Sequence, residues 1–178
     1  MKVFVDVDTI GAFFDGNLPV PGANSLRPIL KKLTKLSKEQ KIPVLKFNDE
    51  HDGTEPEMKC NGGPFDIHAL RDTEDAACIR ETANKKAHIF TKQTYDVFDK
   101  TLGNKNVVQW IKDNNVTEAW VYGVATDWCI KAAVLGLRKL GIKVYVFENA
   151  IMGIDEETTK EAIKEMRKAG ANFTVVKL

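Results

Sequence analysis

The sequence predicts a single α/β domain over residues 1–178: a three-layer, doubly wound sheet of six mostly parallel strands with helices on both faces. Two observations carry this. Short β-branched and aromatic runs alternate with amphipathic helical patterns, the order of elements that builds a parallel sheet with crossover helices. The chain has 178 residues, 43% of them hydrophobic, which suits one core and burial of roughly 70% of the unfolded surface.

The elements follow in order. Strand-like runs lie at residues 2–7, 42–47, 87–91, 118–123, 143–147 and 172–177, each short enough to be buried on both faces. The clearest helix is 25–41, where Leu26, Ile29, Leu30, Leu33 and Leu36 keep three-and-four spacing and lysines take the opposite side. Further helices are expected at 104–114, 127–140 and 155–169, ending at Asn115, Gly141 and Gly170, residue types that suit a left-handed helix terminus. From Asn48 to Thr82 the rhythm breaks. This stretch is dense in Asp, Glu, Gly and Pro and far exceeds the usual ~4–6 residue connection. It holds His51 and His68, so a functional loop is expected.

Composition removes several function classes. With 26 Lys plus Arg against 25 Asp plus Glu, a net charge of +1 offers no basic footprint for nucleic acid or an acidic membrane face. No apolar run approaches the ~20 residues of a membrane span, and the N-terminus has no signal-peptide layout. Cys60, Cys78 and Cys129 are odd in number without C-x-x-C spacing, which argues against a disulfide framework and a zinc ribbon. A cytoplasmic setting is expected.

In a doubly wound sheet, ligands bind outside the carboxyl ends of the strands. Reactive residues cluster there. Cys129 would start the helix after the fourth strand, where the helix dipole and free N–H groups lower a thiol's pKa and can hold an oxyanion. Asp6, one strand away, could take the thiol proton and return it to a leaving amine, with Lys92 supplying fixed positive charge. That is a nucleophilic acyl-transfer site. Cys60 lies in the irregular loop, and Cys78 has no acid, base or helix start obviously beside it. Asp49 and His51 fall on one side of an extended segment; with His68 and either Glu55 or Glu57 they form a mixed oxygen and nitrogen set suited to zinc, manganese or iron. His88 lies apart and is read as structural.

These residues resemble the isochorismatase-like cysteine hydrolases, and within them the nicotinamidase branch, along the whole chain. Val5-Asp6-Val7 resembles the opening strand with the catalytic Asp. Lys92 with Tyr95 and Phe98 resembles the segment carrying the catalytic Lys. Gly123-Val124-Ala125-Thr126-Asp127-Trp128-Cys129 resembles the GVxTDxC signature. The resemblance implies a Rossmann-like sheet, a cis bond between Val124 and Ala125, and an oxyanion hole from the N–H groups of Ala125 and Cys129. Asp49-x-His51 resembles the D-x-H metal pair, and the run from Gly62 to His68 resembles a GGPWPxH stretch, with Phe65 in place of Trp as a candidate substrate-stacking residue. Glu57 is then the better remaining ligand for one divalent ion.

The implied reaction is hydrolysis of nicotinamide to nicotinate and ammonia through a thioester, or of another small amide or carbamoyl compound. The implied assembly is a homo-oligomer, dimer or larger. One departure stands out: the family has Gln-x-Asp-Phe after the first strand, whereas Phe13 and Phe14 come two places late, so substrate packing by Phe13 hangs on register. A rival reading comes from Asp6-x-Asp8-Thr9, which resembles the DxDx[T/V] motif of haloacid-dehalogenase phosphatases, with Asp6 as nucleophile and Asp8 as acid/base.

Overall fold

The computed structural model describes residues 1–177. It contains one six-stranded sheet in the order β3-β2-β1-β4-β5-β6: β1 (Lys2–Val7), β2 (Val44–Asp49), β3 (His88–Lys92), β4 (Glu118–Val124), β5 (Lys143–Met152) and β6 (Asn172–Thr174). Every neighbouring pair is parallel. The helices are α1 (Gly11–Phe14), α2 (Arg27–Glu39), α3 (Asn106–Asp113), α4 (Lys131–Lys139) and α5 (Glu156–Lys168).

Alternation along the strands sorts side chains into two cores. Val3, Val5 and Val7 join Leu45, Phe47, Val121 and Val144 under α3, α4 and α5, through Val107, Ile111, Val134, Leu137, Ala162 and Met166. Phe4, Tyr122 and Phe147 face the other way, under Ile29, Leu30 and Leu33 of α2. Both faces of the inner strands are therefore covered, with Asp6, Lys46, Asn48 and Asp49 the polar residues buried within β1 and β2.

The expected helix ends hold: Asn115, Gly141 and Gly170 all have positive φ. Other boundaries move for local reasons. The helix expected from residue 25 opens as a 3-10 turn (Ala23–Leu26) and becomes α-helical at Arg27, with Pro28 in its first turn, where a missing N–H costs nothing. The helix expected from Asp127 begins as a π turn (Thr126–Ile130) before α4. β5 runs on to Met152 past a register shift between Val121 and Gly123 of its partner. β6 stops at Thr174, because the Asn149 side chain takes both the N–H and the C=O of Val176 in place of sheet pairing. Gly123 marks the tightest approach: its φ is 123°, and a Cβ there would lie 1.9 Å from the Val7 carbonyl oxygen.

The long segment between β2 and β3 is irregular yet tied down. It makes isolated bridges Ile10↔Cys78, His51↔Leu70 and Met58↔Phe65. Glu55 accepts the N–H groups of Asp52 and Gly53 at 2.7 and 2.9 Å, and Asp75 accepts those of Ala69 and Asn17 at 2.7 and 3.0 Å. No helix among the described residues is long and apolar enough to cross a membrane.

Candidate active site

Four strand ends converge at one point. Lys92, the last residue of β3, projects its ammonium between three groups: Asp8 Oδ2 at 2.8 Å, Asp49 Oδ1 in a hydrogen-bonded ion pair, and Cys129 Sγ at 3.7 Å. Asp8 follows β1 with φ 51°, and its Oδ1 accepts the Asp49 N–H at 2.7 Å. Asp8, Asp49 and Cys129 bring their ligand atoms within 4.8 Å of one another, and the Lys92 ammonium is the internal cation that this cluster encloses.

The expectation that Asp6 faces the thiol is corrected. Strand alternation puts Asp6 on the Phe4 side of the sheet, where Lys46 Nζ donates to its Oδ2 and Thr9 Oγ1 to its Oδ1, both at 2.6 Å. The left-handed turn at Asp8 swings that carboxylate to the thiol instead. A signal for this was present: the aromatic residues that come two places late for Asp6 are in step when counted from Asp8.

The electrostatics follow from burial and charge. Burial pulls the Lys92 ammonium down, but Asp49 and Asp8 outweigh it and hold it well above its ordinary value. Burial also pushes Asp49 up, yet the Lys92 charge and the neighbouring imidazoles of His51 and His68 hold it well below the usual carboxylate range. Asp8 goes the other way: burial, then the Asp49 charge, raise it to about 6 despite Lys92. Burial pushes the Cys129 thiol well up, with Lys92 only partly opposing it. The expected lowering of this thiol is therefore not found: burial, joined by the Asp8 and Asp49 charges, outweighs Lys92. The Val124–Ala125 bond is cis, as the resemblance implies.

Beside this centre lie Asp49, His51 and His68, all buried, with ligand atoms within 4.8 Å of one another. His51 Nε2 is 3.9 Å from Asp49 Oδ2 and 3.3 Å from Glu57 Oε1, and His68 Nε2 is 3.8 Å from Asp49 Oδ2. His68 Nδ1 meets the Asp66 carbonyl at 2.7 Å; a carbonyl only accepts, so the proton sits on Nδ1 and Nε2 is left free to bind. Both ring nitrogens of His51 are buried without a hydrogen-bond partner. An orphaned imidazole facing two carboxylates fits a divalent ion. Between the two glutamates weighed from sequence, Glu57 faces the cluster, while Glu55 is committed to the N–H groups of its own turn. His88 packs on Trp110, away from the site.

A cavity of about 100 Å³ opens onto Cys129, Ala125, Asp49, Glu57 and His68. Phe13, Phe65 and Tyr95, expected as substrate contacts, all line it. Trp128 and Ile154 line it too and were not anticipated. Trp128 stands edge-on to both Phe65 and Tyr95 at 5.5 and 5.7 Å, and its place beside Cys129 in the sequence was the only available hint. The volume is well below the ~300–1,000 Å³ of sites for drug-sized ligands.

The fold and site define a three-layer α/β protein whose strand ends bring an acid, an amine and a thiol together beside a carboxylate–imidazole cluster. The chain belongs to the isochorismatase family: the family model described as Isochorismatase domain matches residues 2–177. It is 25% identical over 188 residues to the nicotinamidase/pyrazinamidase of Mycobacterium tuberculosis, covering 97% of this chain and 98% of that one. It is 38% identical over 66 residues to the Escherichia coli nicotinamidase, an alignment covering 36% of this chain and only 31% of that relative. The pyrazinamidase of Pyrococcus horikoshii, solved in complex with zinc, superposes with a TM-score of 0.90 at 25% identity over 98% of this chain and 99% of that one. The yeast nicotinamidase bound to the inhibitor nicotinaldehyde shares the fold, with a TM-score of 0.88 at 16% identity over 99% of this chain and 100% of that one. The phosphatase reading is overturned by the family match and by the geometry, which separates Asp6 and Asp8 onto different lysines.

Proposed function

We propose that the protein is a small-amide hydrolase of nicotinamidase type, with Cys129 as nucleophile, Asp8 as general acid and base, and Lys92 as the fixed cation that sets their charge. The observation that carries the reading is the Lys92 ammonium touching Asp8, Asp49 and Cys129, with Asp49 and Cys129 lining a small aromatic-walled cavity. The zinc complex of the Pyrococcus horikoshii relative and the nicotinamidase/pyrazinamidase of Mycobacterium tuberculosis support it.

The chemistry balances with these groups alone. Asp8 takes the Cys129 proton as the sulfur attacks the carboxamide carbon, and the N–H groups of Ala125 and Cys129 are the donors for the developing oxyanion. Collapse of the adduct breaks the C–N bond, and the proton held by Asp8 leaves with the nitrogen as ammonia. Asp8 then takes a proton from water as it adds to the thioester; the acid departs and Cys129 recovers its proton. Phe13, Phe65 and Tyr95 hold the substrate ring. Asp49, His51, His68 and Glu57 would hold a zinc, manganese or iron ion, which when bound supplies Lewis acidity toward a pyridine nitrogen or a water. A cytoplasmic location and a dimer or larger assembly complete the reading; the exposed rim residues Tyr95, Trp128 and Ile154 are apolar groups that a second copy would cover.

The test is ammonia release from nicotinamide, set against a panel of carbamoyl compounds. Cys129→Ala should abolish it. Turnover that survives in that variant would remove the mechanism, and turnover of the carbamoyl compounds alone would move the substrate class.

A further inference from the structure

A second, larger pocket adjoins the substrate cavity. It measures about 530 Å³ against about 100 Å³ for the cavity that opens onto Cys129, and the residues common to both linings are Tyr95 and Trp128. The backbone of Trp128 is held by its N–H, which donates to the Ala125 carbonyl at 3.2 Å. Its ring stands edge-on to Tyr95 at 5.7 Å and to Phe65 at 5.5 Å, so the partition between the two spaces is made of side-chain rings and not of backbone. Beyond it the pocket has an apolar lining from Phe98, together with Ala132, Leu135 and Gly136 of α4. A Cβ on Gly136 would come within 2.1 Å of the Phe98 ring, so glycine is what lets that ring lie against the helix. Lys131 and Lys139 are matched in number by Asp96 and Glu161, while Asp127 is taken up by Ile154 and Thr158. The pocket therefore suits an uncharged guest.

We propose that Trp128 is the residue that sets substrate size: its indole, braced by Tyr95, restricts the site to a one-ring amide, and its removal joins the cavity to the neighbouring pocket so that an uncharged biaryl carboxamide fits. The inference rests on the amide-hydrolase reading and deepens it. Volume is the argument. An apolar cavity of about 150 Å³ takes one benzene, so a cavity of about 100 Å³ has room for a single small ring and none for a further ring attached to it. The second ring of a biaryl amide would lie against Phe98 and Leu135, while the same C–N bond breaks at Cys129. Trp128 is 39% exposed, so its truncation spares the buried core.

The probe is 5-phenylnicotinamide, substituted at the ring carbon bonded to neither the nitrogen nor the carboxamide-bearing carbon, set against nicotinamide with the full chain supplied with zinc. Ammonia release gives the ratio of kcat/KM for the two amides. Trp128→Ala should move that ratio at least about tenfold toward the phenyl compound, and Trp128→Phe much less. Adding Ala132→Phe to Trp128→Ala, which refills the pocket, should cancel the gain. A ratio unmoved by Trp128→Ala, or one that stays high when Ala132→Phe is added, overturns the inference. Calorimetric binding of both amides to Cys129→Ala, with and without Trp128→Ala, separates this inference from the reading beneath it. If the unsubstituted chain releases no ammonia from either amide, the hydrolase reading fails. A phenyl compound that binds only once Trp128 is truncated still supports the wall, and one that binds equally well with Trp128 in place, or in neither protein, overturns it.

Discussion

Two aspartates separated by one residue carry different duties, and substitution should part them. Asp6→Ala leaves the buried Lys46 ammonium without its partner, so unfolding in urea should show a loss of about 3–5 kcal/mol, while the folded fraction keeps its turnover. Asp8→Asn should fold and lose about 10²–10⁴-fold in kcat, the span of a missing general base. If instead Asp6 governs turnover and Asp8 only stability, the proposed roles are reversed. Because Asp8 is raised to about 6 and acts as an anion in the first step, kcat/KM should fall as pH drops through about 6; a profile flat from pH 7 to 5 would exclude it as the base. His68 is pulled down by burial but raised on balance by Asp49 and the Asp66 carbonyl above its ordinary 6.5. A ligating imidazole must give up that proton, so zinc affinity measured by competition titration should drop about fivefold or more from pH 8 to pH 6. Cys129, Lys92, Asp49, His51 and His68 were legible in the sequence because strand ends and ligand spacing point to them. Asp8 was not, because alternation gives it the same parity as Asp6 and only its left-handed backbone distinguishes the two.

The turn between β5 and α5 shows how a helix start can be tied to a pocket wall. Asp127, in the π turn that also carries Cys129, accepts the Ile154 N–H at 3.0 Å and the Thr158 hydroxyl at 2.7 Å. Asp155 caps α5 by accepting the N–H groups of Glu157 and Thr158 at 3.0 and 3.1 Å. Asp155→Ala should therefore cost about 1 kcal/mol of stability with little change in turnover. Asp127→Ala frees the segment that sets Ile154 against the cavity, and KM should rise more than kcat falls; equal effects on the two would argue that Asp127 serves the thiol and not the wall. The helix expected at 155–169 has Asp155 as its first residue, whereas the structure makes it the cap that precedes Glu156. The π turn was not legible, because nothing in the spacing of residues 126–140 separates it from an ordinary helix.

At the scale of the molecule, alternation of strand and helix patterns was sufficient to foresee the six strands and four long helices, since burial on both faces leaves an unmistakable apolar signature. The segment from Asn48 to Thr82 gave no such signature, having almost no periodic core of its own. What organises it is a set of carboxylates turned inward. Glu55 closes the turn at Asp52 and Gly53, Asp75 binds both Ala69 and Asn17, and Arg71 reaches Glu50 and Asp52. An irregular, Gly- and Pro-rich stretch is ordinarily where a protease finds its first foothold. Here the backbone that a protease would have to draw into its cleft is already spoken for, so nicking between β2 and β3 should require the whole domain to open and not the loop alone.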